Sequence, residues 1–207
     1  VNIANGGYQD ALDRLTTIID PDNGWTDLQY DDSDNLTYVR TPIYDITTYE
    51  YDDFGYQLNE VSPDRGATNY TYDEAGNLAS KTDARGKTTT YAYDALNRLN
   101  LETLDGGQAM TYTWDLNTNG IGRLTSVADA SGSTSWLYDN FGAVTQDQRV
   151  VSGVTLTTGY TYDAAGRRIS VTLPSGKVVT YGYMDHIPTS ISIDSQLVLS
   201  GATYEPF

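Results

Sequence analysis

The chain contains no cysteine, which excludes a disulfide framework, a thiolate nucleophile and any cysteine-based metal site, and leaves the redox compartment open. Histidine is reduced to His186, and no serine or cysteine motif frames it as a catalytic base. Positive charge is scarce: 12 Lys and Arg face 28 Asp and Glu, for a net charge of −16 and a pI of about 4.1. Such a surface repels phosphate backbones, anionic lipids and heparin-like polyanions, so nucleic acid and membrane insertion are excluded as partners. No run approaches the ~18 apolar residues of a membrane-spanning helix. There is no signal peptide, and the first residue is Val1 rather than Met. The chain therefore reads as a section of a larger protein. Apolar residues (39%) and charged residues (19%) are both low for a compact globular core.

What is abundant points to strands and turns. Of the 24 aromatic residues 18 are tyrosine, and Gly, Thr, Asp and Asn are frequent. Tyrosine suits a half-buried pleated surface, its ring against neighbours and its hydroxyl toward water or a partner. The acidic residue after an aromatic sets a period. Tyr30-Asp31, Tyr51-Asp52, Tyr72-Asp73, Tyr93-Asp94 and Trp114-Asp115 recur every 21 residues. Tyr138-Asp139 and Tyr162-Asp163 follow at intervals of 24, and the step of 21 resumes at Tyr183-Met184 and Tyr204-Glu205. One step back from Asp31 lies Asp10. About ten registers make residues 1–207 a single repeat array.

A second aromatic often precedes the first by two residues, as in Tyr49, Tyr70, Tyr91, Tyr112, Trp136, Tyr160 and Tyr181. On a strand, that spacing puts both rings on one face, and stacked copies predict two aromatic ladders. Three residues after the acid stands Asp13, Asp34, Gly55, Gly76, Asn97, Gly142 or Gly166. These residue types tolerate the left-handed conformation, so the spacing predicts a type I turn closed by a G1 bulge. The Asp carboxylate is placed to accept backbone N–H groups of that turn. An apolar residue opens the return strand: Leu15, Leu36, Leu58, Leu78, Leu99, Val144, Ile169. Leu58 and Ile169 come one residue late, which predicts slightly different turns there. A second turn follows about ten residues on, as at Pro21-Asp22-Asn23-Gly24, Asp83-Ala84-Arg85-Gly86 and Pro174-Ser175-Gly176. It is poorly marked at Thr41-Pro42-Ile43-Tyr44. The expected fold is all-β: one antiparallel meander of close to twenty strands, too wide to stay flat and so curved or spiralling.

The pattern Tyr70-Thr71-Tyr72-Asp73-Glu74-Ala75-Gly76-Asn77-Leu78 resembles the YD repeat of Rhs proteins, also found in Tc toxins and teneurins. The resemblance covers essentially the whole chain. It implies β-hairpin repeats that spiral into a hollow shell, which bacterial members use to enclose a toxic C-terminal segment. It further implies a structural role without catalysis, a secreted or cell-surface setting, and as partners the remaining shell repeats and the enclosed segment. Tyr204-Glu205-Pro206-Phe207 resembles the stretch before the family's core region. That core region, with its self-cleaving aspartates, is not in this sequence. A runner-up reading is a carbohydrate-binding or adhesive module that uses exposed Tyr and Trp faces.

Other chemistry is weakly supported. Asp31, Asp32 and Asp34 are turn acids along a sheet edge, not two carboxyls facing across a cleft. Asp115-Leu116-Asn117-Thr118-Asn119-Gly120 matches the opening of a calcium loop, with Asp115, Asn117 and Asn119 as the candidate ligands. Its twelfth position is Ser126 rather than Glu, and a turn rich in Asn and Gly explains it equally well. Asp20-Pro21-Asp22-Asn23-Gly24 is a weaker version. No cofactor is expected. Uncapped first and last strands predict edge-to-edge self-association, resisted by the net charge.

Overall fold

The computed structural model describes residues 2–3 and 7–201, in two compact units, Val1–Gly107 and Gln108–Phe207. Tyr204-Glu205-Pro206-Phe207 lies outside the described residues. Among those residues there are twenty strands and no helix. The first unit holds β1 (Asn2–Ile3), β2 (Gly7–Gln9), β3 (Leu15–Ile19), β4 (Trp25–Tyr30), β5 (Leu36–Arg40) and β6 (Ile46–Tyr51). It continues with β7 (Gln57–Ser62), β8 (Gly66–Tyr72), β9 (Leu78–Thr82), β10 (Thr88–Tyr93) and β11 (Leu99–Thr103). The second holds β12 (Ala109–Trp114), β13 (Leu124–Asp129), β14 (Gly132–Tyr138), β15 (Val144–Val151) and β16 (Val154–Tyr162). It ends with β17 (Arg168–Thr172), β18 (Val178–Met184), β19 (Ile187–Ile193) and β20 (Gln196–Ser200).

Within each unit every strand pairs antiparallel with its neighbours in the chain, and it touches no other strand. Each unit is thus a single-layer meander. Among the described residues no second layer covers either face, so they lack the usual two-layer core. Val171 is the one buried apolar residue among those described; Ser62, Thr68 and Thr125 are the buried polar ones. The hydroxyl of Thr125 donates to the carbonyl of Thr113 at 2.9 Å. Alternation along the strands is clear in β6, where Thr47, Tyr49 and Tyr51 are half-buried while Ile46, Thr48 and Glu50 are exposed.

The Tyr-Asp turns share one geometry. At Asp52, Asp73, Asp94, Asp139 and Asp163 the acid's N–H donates to the carbonyl four residues on, and the residue three on donates back to the acid's carbonyl. That third residue is left-handed: φ is 82° at Gly55, 84° at Gly76, 60° at Asn97, 91° at Gly142 and 77° at Gly166. The register slips by one at the tyrosine just before each acid, which is the bulge that the turn type requires.

The turns before Leu58 and Ile169 do not differ. Asp52 and Tyr56, and Asp163 and Arg167, make the same bonds as elsewhere, and the strands open at Gln57 and Arg168. The late apolar residue reflects only which face of the strand it occupies. The poorly marked turn is also regular. Thr41 takes the acid's place, its hydroxyl accepting the N–H of Asp45 at 3.1 Å, with Tyr44 in the left-handed slot at φ 68°. The two 24-residue intervals are lengthened in different places. One insert enlarges the turn between Asp115 and Arg123; the other lengthens the hairpin of β15 and β16, closed by Ser152-Gly153.

Candidate functional site

Within each unit the residues that repeat line the edge formed by its Tyr-Asp turns. Each carboxylate there binds its own backbone. Asp73 Oδ1 accepts the N–H groups of Ala75 (2.9 Å) and Asn77 (2.8 Å). The same pair of bonds forms at Asp10, Asp31, Asp52, Asp94, Asp139 and Asp163. The second oxygen takes a side chain from the residue four on. Arg14 and Arg167 reach it at 2.7 Å, and Arg98 at 2.7 Å. Asn35 does so at 2.9 Å and Asn77 at 3.0 Å. The side-chain hydrogen bonds of Arg14, Arg98, Asn35 and Asn77 lead in holding Asp10, Asp94, Asp31 and Asp73 below the usual carboxylate range. At Asp163 the backbone N–H of Arg167 leads instead.

The tyrosine before the acid has a bond that its spacing does not announce. Its hydroxyl donates to the carbonyl of the first residue of the preceding strand. The pairs are Tyr30 to Leu15 (2.9 Å), Tyr72 to Gln57 (2.9 Å) and Tyr93 to Leu78 (3.0 Å). In the second unit they are Tyr138 to Leu124 (2.6 Å), Tyr162 to Val144 (2.8 Å) and Tyr183 to Arg168 (2.8 Å). These first residues lie beyond the end of the ladder toward the tyrosine's strand; β9, for example, starts pairing with β10 only at Ser80. The hydroxyl therefore satisfies a carbonyl that the sheet leaves over. Phe could fill the space but not make the bond. Burial pushes the phenols of Tyr51, Tyr72 and Tyr93 up.

Successive repeats are joined by the residue that closes the Tyr-Asp turn, the one that grips the acid at Asp10 and Asp163. The Arg14 guanidinium lies 5.0 Å from the centre of the Tyr30 ring, Arg123 lies 5.6 Å from that of Tyr138, and Arg167 5.1 Å from that of Tyr183. At the equivalent place Tyr56 stacks on Tyr72 at 4.8 Å. The expected aromatic ladders are thus interleaved. In the first unit the ring pairs Tyr8–Trp25, Phe54–Tyr56 and Tyr56–Tyr72 include none between Tyr30, Tyr51, Tyr72 and Tyr93, the described tyrosines of successive slots. One repeat spans two strands, roughly 10 Å, and the return strand fills that gap.

Asp115, Asn117 and Asn119 sit in the enlarged turn. Asp115 Oδ1 accepts the N–H of Gly122 at 2.6 Å, and Asn119 Nδ2 donates to the Tyr138 carbonyl at 3.0 Å. Arg123 donates to the carbonyls of Asn119 and Ile121, so a guanidinium already takes oxygens of the loop. Among the described residues, no three His, Asp or Glu side chains are grouped to hold a metal. Trp114 ends β12 in the tyrosine slot, and His186 lies exposed in the tight turn between β18 and β19.

A family model described as RHS Repeat matches residues 72–110, 148–178 and 162–186. These two stretches, 72–110 and 148–186, are similar to Rhs repeats. The matched segments contain the Tyr-Asp turns at Asp73, Asp94 and Asp163, and the bonds just described extend the same unit to the turns outside them. Among curated protein sequences none matches the chain significantly. Among solved structures, that of TcdB2-TccC3 without its hypervariable C-terminal region superposes with a TM-score of 0.81 at 19% identity, over 96% of this chain. The Photorhabdus luminescens Tc holotoxin pore does so with 0.73 at 20% identity, over 92%. This chain spans about 12% and 11% of the length of those chains. At such identity the likeness establishes the fold, an antiparallel all-β repeat array.

Proposed function

We propose that this Rhs array is a section of the wall of a shell, and that the shell encloses a C-terminal toxin or effector of the parent protein. The observation that carries this is the repeated use of one set of bonds. Asp, Tyr and Arg, the residues most able to do chemistry, are engaged in the same backbone and inter-repeat contacts copy after copy. An active site gathers unlike groups at one point, whereas this edge repeats like groups at a fixed step. Its partners in this reading are further Rhs repeats and the enclosed segment, in a secreted or cell-surface protein. The single-layer sheets support it, since a wall needs extent rather than a core. So do the turn tips Leu12, Phe54, Leu96 and Phe141, which are 69%, 85%, 70% and 88% exposed and would meet neighbouring repeats of the parent.

The test is made in the parent polypeptide. Deleting residues 73–93, one 21-residue repeat, keeps the Tyr-Asp register but removes one hairpin of wall. The C-terminal segment should pass from protease-resistant to cleavable, and the isolated array should show neither turnover nor cytotoxicity. A C-terminal segment equally cleavable before and after the deletion, or a toxic isolated array, overturns the proposal.

A further inference from the structure

The turn between β3 and β4, Asp20-Pro21-Asp22-Asn23-Gly24, has a chemistry that the wall reading does not use. It closes as the Tyr-Asp turns do. Asp20 N–H donates to the Gly24 carbonyl at 3.0 Å, Asn23 N–H donates back to the Asp20 carbonyl at 3.0 Å, and Asn23 is left-handed at φ 63°. Asp20 Oδ1 accepts the N–H groups of Asp22 (2.9 Å) and Gly24 (2.7 Å). Asn97 fills the equivalent slot at φ 60°, and Asp94 Oδ1 likewise accepts the N–H of the residue after it, at 3.0 Å. The two turns differ in that next residue, which is Arg98 after Asn97 and Gly24 after Asn23.

An asparagine before a glycine holds an electrophile and a nucleophile within reach of each other. The side-chain Cγ and the next backbone nitrogen can close a five-membered ring, and a glycine brings no Cβ to hinder the closure. The described Asn-Gly pairs are Asn23-Gly24 and Asn119-Gly120, and their surroundings are opposite. Asn119 Nδ2 donates to the Tyr138 carbonyl at 3.0 Å, and Gly120 N–H donates to the Asn117 carbonyl at 3.2 Å. Gly120 is also buried against the Leu116 carbonyl. The Asn23 side chain is exposed and makes no hydrogen bond to another described residue. Pro21 and Asp22 are exposed with it, so the tip opens locally at little cost. We propose that Asn23 is a self-modification site, converting to isoaspartate as the protein ages. Gly24 N bonds to Asn23 Cγ and the Cγ–Nδ2 bond breaks. The exposed Asp20 carboxylate, already the acceptor of the Gly24 N–H, passes its proton to Nδ2, which leaves as ammonia. Water then opens the succinimide. Addition at the Asn23 backbone carbonyl carbon breaks its bond to Gly24 N and gives isoaspartate; addition at Cγ gives aspartate. Either product adds a negative charge beside Asp20 and Asp22, and isoaspartate also lengthens the backbone inside a closed turn. The β3–β4 ladder that this turn closes has only three pairs, Thr17 with Asp27, Ile18 with Thr26 and Ile19 with Trp25, so it loosens on conversion. The inference does not depend on the shell reading, since the turn lies wholly within the first unit.

The test ages the whole chain in mildly alkaline buffer at body temperature. Isoaspartate is read by peptide mass spectrometry and by labelling with an isoaspartate-specific methyltransferase. Asn5-Gly6, outside the described residues, falls on a peptide that is read separately. Isoaspartate should accumulate at Asn23 at least tenfold faster than at Asn97 or Asn119. Gly24→Ala should slow it at least tenfold, but its Cβ would meet the Asp20 carboxylate and Pro42. Asn23→Gly is therefore the second variant, since it keeps the left-handed slot and removes the reacting amide. Hydrogen exchange in the β3–β4 ladder should quicken in the aged chain and stay unchanged in aged Asn23→Gly. The proposal is overturned if Asn23 stays intact, if Asn97 or Asn119 converts as fast, or if the ladder exchanges alike before and after conversion. It is equally overturned if exchange quickens as much in aged Asn23→Gly.

Discussion

Replacing Tyr93 by Phe removes one atom and one bond. The hydroxyl donates to the Leu78 carbonyl at 3.0 Å, and no strand reaches that carbonyl from the same side. A hydrogen bond of this kind contributes a net ~0.5–1.5 kcal/mol. Both residues are half-buried, so water can reach the abandoned carbonyl only in part. The expected loss is about 1 kcal/mol, with the ring packing kept. Global unfolding is a poor readout, because an array that touches only nearest neighbours need not unfold in one step. Amide hydrogen exchange is local. Protection at Ser80 and Thr90, which pair across β9 and β10, should fall about fivefold, the factor that corresponds to ~1 kcal/mol. The control is Tyr91→Phe. Tyr91 lies two residues earlier in the same strand and is half-buried like Tyr93, but its hydroxyl makes no hydrogen bond to another described residue. That change should be close to neutral. Equal effects at Tyr91 and Tyr93 would refute the claim that the hydroxyl, rather than the ring, selects tyrosine in this slot.

The left-handed slot is best probed at Gly166, where a Cβ would meet open space: Gly166→Val should fall below Gly166→Asn by about 1–2 kcal/mol in denaturation midpoints, and equal midpoints would contradict the φ of 77°. The depressed carboxyls of Asp10, Asp31, Asp73, Asp94 and Asp163 contribute stability that is complete above the ordinary carboxylate pKa and lost as pH falls through their folded values; urea midpoints from about pH 6 to about pH 2 should show this loss, and replacing the five by Asn should flatten it. At the other end of the scale, burial raises the phenols of Tyr51, Tyr70, Tyr72, Tyr91 and Tyr93, so stability is complete below the ordinary tyrosine value of ~10 and falls as pH rises through the raised ones, which a tyrosinate absorbance titration run beside circular dichroism should record. The outer edge of β20, with Leu197, Val198 and Leu199 exposed, should drive association that grows with salt; light scattering that shows a strict monomer at every ionic strength would count against it.

The period was readable in the sequence because two of its marks are local. Asp followed three residues later by Gly, Asn or Asp specifies a turn with a left-handed residue, and every such turn named from spacing is present. The carboxylate's backbone bonds were readable for the same reason, since donor and acceptor lie within four residues. What spacing could not show is contact across repeats. The Tyr93–Leu78 bond links residues 15 apart, and the Arg14–Tyr30 contact bridges 16; neither is implied by a motif within one copy. Local signals also misled where they concerned composition alone. The late Leu58 and Ile169 suggested altered turns, but hydrogen bonding fixes the turn and leaves the strand's first residue free to be Gln57 or Arg168. Thr41 hid a regular turn because a hydroxyl can do the acid's work. At Gly76 the slot looks open to Asn by analogy with Asn97, yet a Cβ there would collide with the hydroxyl of Tyr56, a neighbour from the previous repeat.

That contrast bears on how the array acts as a whole. With one buried apolar residue among those described, little of its stability comes from a core. Order must come from the ladders, the turn carboxylates and the joints between copies, and those joints are uneven. Arg14, Arg98 and Arg167 each grip their own acid, and Arg14 and Arg167 also cover the next tyrosine. Asn77 reaches Asn97 instead, and Ala143 has only its backbone to offer its acid. In a nearest-neighbour array each joint adds its own increment, and the weakest joint sets where the sheet opens first. The boundary between β14 and β15, marked by Ala143, has no charged side chain stacked on Tyr162 among the described residues, but the ladders on either side of β15 are long, seven residue pairs with β14 and six with β16. The extra ladder there offsets the missing cation. The 24-residue interval, which looked like an irregularity in the count, thus reinforces one of the repeats that lack the arginine.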